Sequence, residues 1–247
     1  MDGHSAQPRA KTLVIIPSYN TGARLPETVR DAARHWQPVF LVIDGSSDGS
    51  ADRVEPHPAL RLIRRAANGG KGAAVLDGLR AAAAEGFTHA LVMDADGQHP
   101  AEAIPQFMAL SAARPEAMIL GVPLFDATAP RARVLGRRIS NVIVRWLTGA
   151  DIGDALFGFR VYPLAPLRAI MEASPHMRRY DFDAEAVVRL SWRGVPTINQ
   201  PVPVRYFRKD EGGISHFRYG RDNLLLARMY ARLAAARLVG RFRPSRH

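Results

Sequence analysis

Short apolar runs alternate with longer segments of helical character over the first half of the chain. Five runs rich in Val, Ile, Leu and Ala predict buried strands: Thr12–Ile16, Val39–Ile43, Leu60–Ile63, Ala90–Met93 and Ala117–Gly121. Three intervening segments have helix-favouring residues or apolar positions at helical spacing, and predict helices: Arg24–His35, Ala73–Glu85 and Ala101–Arg114. This alternation with short loops predicts a mostly parallel sheet that helices cover on both faces.

The alternation is weaker after Gly121. Helices are predicted over three further segments, Arg131–Leu147, Asp183–Trp192 and Asp222–Leu238. Two more strands are expected at Val195–Asn199 and Pro201–Phe207, the second at a sheet edge because its prolines cannot donate to a ladder. The chain shows no internal repeat and no low-complexity linker. The predicted fold class is therefore α/β, a single Rossmann-like domain with a mostly parallel central sheet and a C-terminal amphipathic helix.

Composition removes several classes of protein. With 247 residues, 47% of them hydrophobic, the chain can bury a sizeable core. It has no cysteine, so disulfides, zinc–thiolate sites and cysteine nucleophiles are excluded. No apolar run approaches the roughly 20 residues that span a bilayer, and the N-terminus lacks the pattern of a signal peptide. The expected location is cytoplasmic.

The net charge of +11 is unevenly distributed. From Arg205 to His247, eleven Lys and Arg stand against three Asp and Glu, a net of +8. A second basic cluster, without an acid between Asp126 and Asp151, comprises Arg131, Arg133, Arg137, Arg138 and Arg145. Such clusters indicate an anionic partner. The alternative is a GC-rich genome, which favours arginine on any surface.

Polar loops follow three of the predicted strands, at Pro17–Asn20, Asp44–Ser50 and Asp94–His99. In a parallel sheet such loops lie at one edge, where open α/β folds bind their ligands. Asp94 and Asp96 are two residues apart and can face the same point. Paired carboxylates there suit Mg²⁺ or Mn²⁺, with open positions for phosphate oxygens. The alternative is a solvated turn rich in Asp and Gly.

Two common motifs are excluded by single positions. An EF-hand that began at Asp94 would need a bidentate Glu at its twelfth position, which is Pro105. The glycine-rich loop Asn68–Gly72 is not a Walker A loop, because Gly72 follows Lys71 where Ser or Thr is required.

Seven stretches in order over roughly residues 12–223 resemble family-2 glycosyltransferases of the GT-A fold. The similarity is greatest to polyprenyl-phosphate (dolichyl-phosphate) mannosyl- and glucosyltransferase-like enzymes. The stretches are IIPSYN (15–20), VIDGSSDGS (42–50), NGGKGAAV (68–75), VMDADGQHP (92–100), DALFGFRVY (154–162), FDAE (182–185) and GGISHFRYGRDN (212–223). Each motif alone is weak, whereas the ordered set is specific.

The resemblance implies a metal-dependent, inverting transfer of a sugar from a nucleotide-sugar donor, with Mg²⁺ or Mn²⁺ as cofactor. The metal would be held by Asp96 and Asp94. The implied donor-binding residues are Pro17, Tyr19, Asn20, Asp44, Lys71 and Asp94. The nucleotide, UDP or GDP, stays open because Ile43 and Thr21 depart from the family pattern. The expected divisions are a flexible N-terminus (1–10), a domain (11–220) with nucleotide-sugar and acceptor parts (11–122 and 123–220), and a basic helix and tail (221–247).

The acceptor is expected to be lipid-linked. A hydroxyl acceptor needs a general base, for which Asp154, Asp183 and Glu185 are candidates, whereas a phosphate acceptor is already anionic. Four basic side chains are candidates for binding an acceptor phosphate: Arg137, Arg138, Arg160 and His216. Solvated arginine on a helix face is the common alternative.

The last predicted helix suggests how a lipid-linked acceptor is reached. Arg221, Arg228 and Arg232 share one sector of this helix, and a neighbouring flank is apolar, with Leu226, Met229, Tyr230 and Leu233. A basic face beside an apolar one is typical of interfacial helices. The expectation is peripheral binding at the anionic inner face of the cytoplasmic membrane; the alternative is that the flank covers the domain core.

Two other functions would account for parts of this sequence. A sugar-nucleotide nucleotidyltransferase shares the α/β frame and the acidic site, but it usually has a GxGxR-like loop where this chain has Pro17–Asn20. A basic nucleic-acid-binding protein would explain the arginines. It would leave the three acidic loops unexplained, because they would repel the polyanion, so no nucleic-acid partner is expected.

Overall fold

A computed structural model describes residues 10–125, 131–204 and 219–240. Its strands are β1 Thr12–Ser18, β2 Val39–Asp44, β3 Leu60–Arg65, β4 His89–Val92, β5 Met118–Leu124, β6 Arg160–Pro163 and β7 Thr197–Pro203. Its helices are α1 Leu25–His35, α2 Lys71–Ala84, α3 Ile104–Ala113, α4 Arg131–Thr148, α5 Leu164–Glu172, α6 Asp181–Trp192 and α7 Tyr219–Leu238. Short 3₁₀ turns occupy Gly22–Arg24, Ala51–Arg53 and Ala101–Ala103.

The strands form one sheet in the order β3-β2-β1-β4-β6-β5-β7. Neighbouring strands are parallel except that β6 runs antiparallel to both β4 and β5. The predicted single α/β domain with a mostly parallel sheet is confirmed. The edge position predicted for Pro201–Phe207 is also correct as far as that segment is described, although one strand, β7, replaces the two that were expected.

Helices cover both faces of the sheet, so the central strands are buried on both sides. Successive residues of β1 alternate between the two cores: Leu13 and Ile15 belong to one, Val14 and Ile16 to the other. This alternation follows from the two-residue period of a strand, and explains why the sequence shows continuous apolar runs. Residues of α2, α5, α6 and α7 line the first core, and residues of α1 and α3 line the second.

Helix α7 packs on the domain. Met229 and Leu233 are each 1% exposed within the first core, and Leu226 and Tyr230 pack against it. The apolar flank that was expected to contact a membrane is therefore covered by the protein itself, because it fits the surface left by α4 and α6. Among the described helices, none is both long and apolar enough to cross a bilayer.

Candidate active site

The loops after β1 and β2 are bonded to each other at the carboxyl edge of the sheet. Asn20, at φ +46°, donates its N–H to Ser46 Oγ at 3.0 Å and accepts the N–H of Ser47 at 2.8 Å through Oδ1. Gly22 donates its N–H to Asp48 Oδ2 at 2.8 Å. The side-chain oxygen of Asn20 thus holds the two loops together, which is a different use from the donor contact that the resemblance implied.

The two other residues expected to hold the donor from β1 differ in exposure. Pro17 is buried within the strand, whereas Tyr19 is 37% exposed just beyond it. An aromatic ring at a strand end offers a face on which a planar base can stack. Tyr19 is therefore the accessible member of the pair.

Asp44, at the end of β2, shapes the glycine-rich loop. Its two carboxylate oxygens accept the N–H groups of Gly69 at 2.9 Å and Gly70 at 2.7 Å, and Arg65 Nε lies 2.8 Å from Oδ1. Gly70 has φ +96°, and a Cβ there would lie 2.6 Å from the carbonyl oxygen of Arg178. The loop is thus fixed between β2 and the segment before α6, and the direct role of Asp44 is to position the start of α2.

Lys71, the first residue of α2, joins three elements of the site. Its Nζ lies 2.6 Å from Asp94 Oδ1, at the end of β4, and 2.8 Å from Asp183 Oδ2, in the first turn of α6. The lysine side chain is 11% exposed and that of Asp183 is 8% exposed, whereas that of Asp94 is 33% exposed. One cation is therefore shared by two carboxylates, of which Asp94 faces the solvent-accessible side.

The charges of this cluster reinforce one another. Burial alone would raise the pKa of Asp94, but the charge of Lys71, followed by that of His99, lowers it to about 2. Burial alone would lower the pKa of Lys71, but Asp183 and Asp94 raise it above its ordinary value. At neutral pH, Lys71 is consequently cationic and Asp94 anionic.

The backbone at Gly158 closes the cluster from a further side. A Cβ at this position would lie 2.5 Å from Lys71 Nζ and 2.8 Å from Asp94 Oδ2. A side chain at Gly158 would therefore require the Lys71–Asp94 ion pair to move.

Asp96 lies in the tight turn after β4. Its Oδ1 accepts the N–H of Gln98 at 3.0 Å. Within the described residues, no group of three or more His, Cys, Asp or Glu side chains could hold a metal alone. Asp94 and Asp96 nevertheless supply the hard oxygen ligands that Mg²⁺ or Mn²⁺ takes from one or two carboxylates, the remainder coming from water and substrate phosphates. The residues present therefore fit a shared, substrate-completed metal site.

His99 supports the strand-end turn from inside the protein. Its Nδ1 accepts the N–H of Asp94 at 3.0 Å, and its ring makes edge contacts with Phe157 and Phe159. Burial, with the neighbouring cations Lys71 and Arg137, lowers the pKa of His99 to about 4 despite the charge of Asp94, so the ring is neutral. His99 therefore caps the turn after β4.

The three candidate bases occupy different places. Asp154 accepts three hydrogen bonds through Oδ1, from Leu156 N, Phe157 N and Arg137 Nη1, all at 2.7–2.8 Å, and shapes the segment before β6. Asp183 contacts the site through Lys71. Glu185 is 0% exposed and bonds only to arginines on the other side of α6. Asp183 alone is placed beside the strand-end carboxylates.

Glu185 serves instead to hold α7. Both of its carboxylate oxygens accept hydrogen bonds from Arg232, at 2.9 and 2.8 Å. Arg189 Nε donates a further hydrogen bond to Oε1 at 2.6 Å. Burial would raise the pKa of Glu185, but the hydrogen bonds from Arg232 and Arg189 lower it below its ordinary value of 4.5.

Arg232→Met should lower the free energy of unfolding by about 3 kcal/mol, because it leaves a buried carboxylate short of a partner. The exposed Arg228 of the same helix provides the control, since Arg228→Met should cost less than about 0.5 kcal/mol. The folded pKa of Glu185 is depressed, so its stabilising contribution is complete above 4.5 and is lost as the pH falls through the folded pKa. Urea unfolding should therefore show that the difference in free energy of unfolding between the wild type and Arg232→Met becomes smaller below pH 4.5. Equal stabilities of these two proteins at neutral pH would contradict the anchoring role.

The expected acceptor-binding residues are divided by burial. Arg160 is 0% exposed and donates to Tyr162 Oη at 3.0 Å and to the carbonyl oxygens of Asp183 and Asp154, so in this structure it joins β6 to α6. Arg137 is half-buried on Asp154, and Arg138 is exposed on α4. His216 lies outside the described residues.

Tyr180, which precedes α6, was missed by the sequence interpretation. The charges of Asp94 and Lys71 act on its hydroxyl. Burial together with Asp94 raises the pKa of Tyr180 to about 12, although Lys71 opposes this. It is therefore a neutral hydroxyl at the edge of the cluster. Its position two residues before the FDAE stretch was the available signal, but a lone tyrosine in a polar segment carries no periodicity.

A mostly parallel sheet with acidic strand-end loops and a lysine-paired carboxylate matches the arrangement expected of a GT-A-like glycosyltransferase. Residues 13–173 match the family described as glycosyl transferase family 2. The chain belongs to this family, and the predicted resemblance is confirmed.

Two similar proteins are bacterial enzymes named for lipid-phosphate acceptors. Undecaprenyl-phosphate mannosyltransferase of Micrococcus luteus is 27% identical over 217 residues, which cover 82% of this chain and 86% of the relative. Polyprenol monophosphomannose synthase of Mycolicibacterium smegmatis is 28% identical over 226 residues, covering 87% and 83%.

A solved structure with the same fold is glucosyl-3-phosphoglycerate synthase from Mycobacterium tuberculosis in complex with UDP. It superposes with a TM-score of 0.66 at 15% identity, over 91% of this chain and 80% of the other. The same enzyme has also been solved with Mn²⁺, UDP-glucose and phosphoglyceric acid, with a TM-score of 0.62 at 15% identity over 93% and 79%. At this identity the likeness establishes the GT-A-like fold alone.

Proposed function

We propose that this glycosyltransferase moves a sugar from a nucleoside diphosphate donor to the phosphate of a polyprenyl phosphate, with inversion at the anomeric carbon. The observation that carries the acceptor class is the state of the three candidate bases. Asp154 is bonded to Arg137, Glu185 to Arg189 and Arg232, and Asp183 to Lys71. Each candidate base is thus already engaged by a cation, whereas an anionic phosphate acceptor needs no base. The names of the two bacterial relatives support the same acceptor.

The donor is assigned to the carboxyl edge of the sheet. Tyr19 offers its exposed ring to the base, and the loops tied by Asn20 and Asp44 surround the nucleotide. Lys71 and Asp94 lie where the diphosphate would follow. UDP complexes of the structural neighbour support a nucleotide sugar as the donor. The donor is a UDP-linked or a GDP-linked sugar, and the experiment below distinguishes the two.

A divalent cation, Mg²⁺ or Mn²⁺, would be held by Asp96 and Asp94. When bound, it neutralises the diphosphate that leaves the sugar. The residues of the chain provide the rest: Lys71 fixes the carboxylate of Asp94, and His99 fixes its backbone N–H.

The reaction is a single displacement. An oxygen of the acceptor phosphate bonds to the anomeric carbon while the bond from that carbon to the β-phosphate oxygen breaks. The nucleoside diphosphate leaves with the bonding electron pair. No proton has to be removed from the acceptor, so the lysine-bound state of Asp183 is compatible with turnover.

The test is transfer from labelled nucleotide sugars, GDP-mannose and UDP-glucose among them, to undecaprenyl phosphate in detergent. A label that becomes extractable into organic solvent, and is released by mild acid as expected for a glycosyl phosphate, supports the proposal. Undecaprenol, which has the same tail and a hydroxyl in place of the phosphate, is the matched acceptor control. Transfer to undecaprenol would overturn the acceptor assignment. Transfer to a soluble phosphate without transfer to undecaprenyl phosphate would overturn it as well.

A further inference from the structure

Helix α4 has one buried face and one exposed apolar face. Val144 and Leu147 are 0% exposed and belong to the first core. On the opposite face, Leu135, Ile139, Val142 and Trp146 are 48–64% exposed. Their spacings of four, three and four residues place them within one sector of about 60°. We call this set of four the α4 stripe; it is about 16 Å long at 1.5 Å per residue.

Within the described residues, the α4 stripe carries little cover. The guanidinium of Arg237 in α7 lies 4.9 Å from the centre of the Trp146 ring. The residues that follow it, Leu238 and Val239, are 77% and 76% exposed. Contiguous exposed apolar surface of this kind marks an interaction site.

The charges beside the stripe select the partner. Arg138 and Arg145, both exposed, stand four residues before and three residues after Val142, so they border the stripe on one side. The sequence from 127 to 150 contains five arginines and no acidic residue. An apolar face bordered by cations, with a tryptophan at its end, fits the interface of a bilayer with anionic headgroups.

The stripe and the site lie on opposite sides of α4. Arg137 of the same helix bonds to Asp154, and the segment from Asp154 leads within four residues to Gly158, against Lys71 and Asp94. Arg137 is about 180° around the helix from the centre of the stripe. A membrane held on the outer face of α4 would therefore be separated from the catalytic centre by about one helix diameter, on the order of 10 Å.

We propose that the α4 stripe, and not the apolar flank of α7, is the surface with which this enzyme lies on an anionic membrane. The orientation of the acceptor rests on the proposed function, whereas the docking itself does not.

The test is co-sedimentation with phosphatidylcholine vesicles, with and without phosphatidylglycerol, in the absence of donor and acceptor. Wild-type protein should bind the anionic vesicles at low salt and less at high salt. Ile139→Asp combined with Val142→Asp should lower the partition coefficient about tenfold or more, because it places two anions in the stripe. Arg138→Glu should weaken binding to anionic vesicles more than to neutral ones.

Two control variants carry the same chemical change elsewhere. Leu62→Asp alters an exposed leucine on β3, at the opposite edge of the sheet, and Leu224→Asp alters one on α7. Both should bind vesicles like the wild type. Thermal unfolding of all variants shows whether each is folded, and transfer to a water-soluble short-chain isoprenyl phosphate should be unchanged in the double variant.

Four results would overturn the proposal. Wild-type protein that stays in the supernatant has no such surface. Equal sedimentation of the wild type and the double variant, or a loss only with Leu224→Asp, places the surface elsewhere. A change from dimer to monomer in the double variant by light scattering, without an effect on vesicles, identifies a second copy as the occupant. Vesicle binding through α4 without transfer to polyprenyl phosphate would instead overturn the proposed function and leave the docking surface standing.

Discussion

Asp96→Asn is expected to lower sugar transfer about 1,000-fold, since a metal that neutralises the leaving diphosphate contributes several kcal/mol to the transition state. Asparagine keeps a side-chain oxygen that can accept the N–H of Gln98, so the turn should survive while the charge is lost. The measurement is the initial rate of donor turnover in Mn²⁺ and in Mg²⁺. The Mn²⁺ affinity of the protein with bound nucleoside diphosphate should fall in parallel.

Asp52→Asn is the matched control for this substitution. Asp52 also lies in a loop beyond a strand at the same edge of the sheet, but its side chain is 72% exposed and pairs with Arg64. Its loss should leave the rate within about twofold of the wild type, as for most surface changes. Excess EDTA should stop the wild-type enzyme, and added metal should restore it. Full wild-type activity in EDTA, or normal activity of Asp96→Asn, would contradict a metal role for this residue.

Local patterns in the sequence located the frame of the site, because each depends on a few neighbouring residues. Strand ends were marked by apolar runs that stop at Asp44 and Asp94. The glycine-rich loop Asn68–Gly72 marked the start of α2, although the helix begins at Lys71, two residues before the predicted Ala73. Parallel pairing then required those ends to share an edge, and the structure joins them through Asp44 to Gly70 and Lys71 to Asp94. These contacts follow from topology without any knowledge of side-chain packing.

The uses of individual side chains could not be predicted in the same way. Asp183 and Glu185 are two residues apart, yet one meets Lys71 and the other meets Arg232, which lies 47 residues further along the chain. The choice depends on where α2 and α7 pack around α6. The sequence made Arg160 a candidate for binding an acceptor phosphate. In the structure β6 lies antiparallel between β4 and β5, and the Arg160 side chain is buried there.

The two amphipathic helices show the same limit. Both α4 and α7 have an apolar face and a basic border, and the sequence pattern cannot tell a flank that covers a core from one that covers a membrane. Met229 and Leu233 proved to be core residues, whereas Ile139 and Val142 are exposed. The difference arises from the neighbouring elements, since Val144 and Leu147 already fill the core on the inner side of α4.

Lys71→Met should weaken the affinity for the nucleotide-sugar donor about 100-fold, because it removes the positive charge that is proposed to face the donor diphosphate. Lys71 lies 2.6 Å from Asp94 and 2.8 Å from Asp183. Without it, two carboxylates that shared one cation are left together, and they repel both each other and the incoming diphosphate. Methionine keeps much of the length and the apolar stem of the side chain, so the substitution removes mainly the charge.

Isothermal titration with the donor and with the free nucleoside diphosphate measures this effect. Lys11→Met is the matched control: Lys11 lies at the far end of the sheet, before β1, where its Nζ donates to the carbonyl oxygen of Glu85 at 2.8 Å. Its substitution should leave donor affinity unchanged. If Lys71→Met binds donor as tightly as Lys11→Met, the lysine serves the packing of α2 against α6 and not the donor. If affinity falls equally for the nucleoside diphosphate and the intact donor, Lys71 acts on the diphosphate rather than on the sugar, which is the outcome expected from its contact with Asp94.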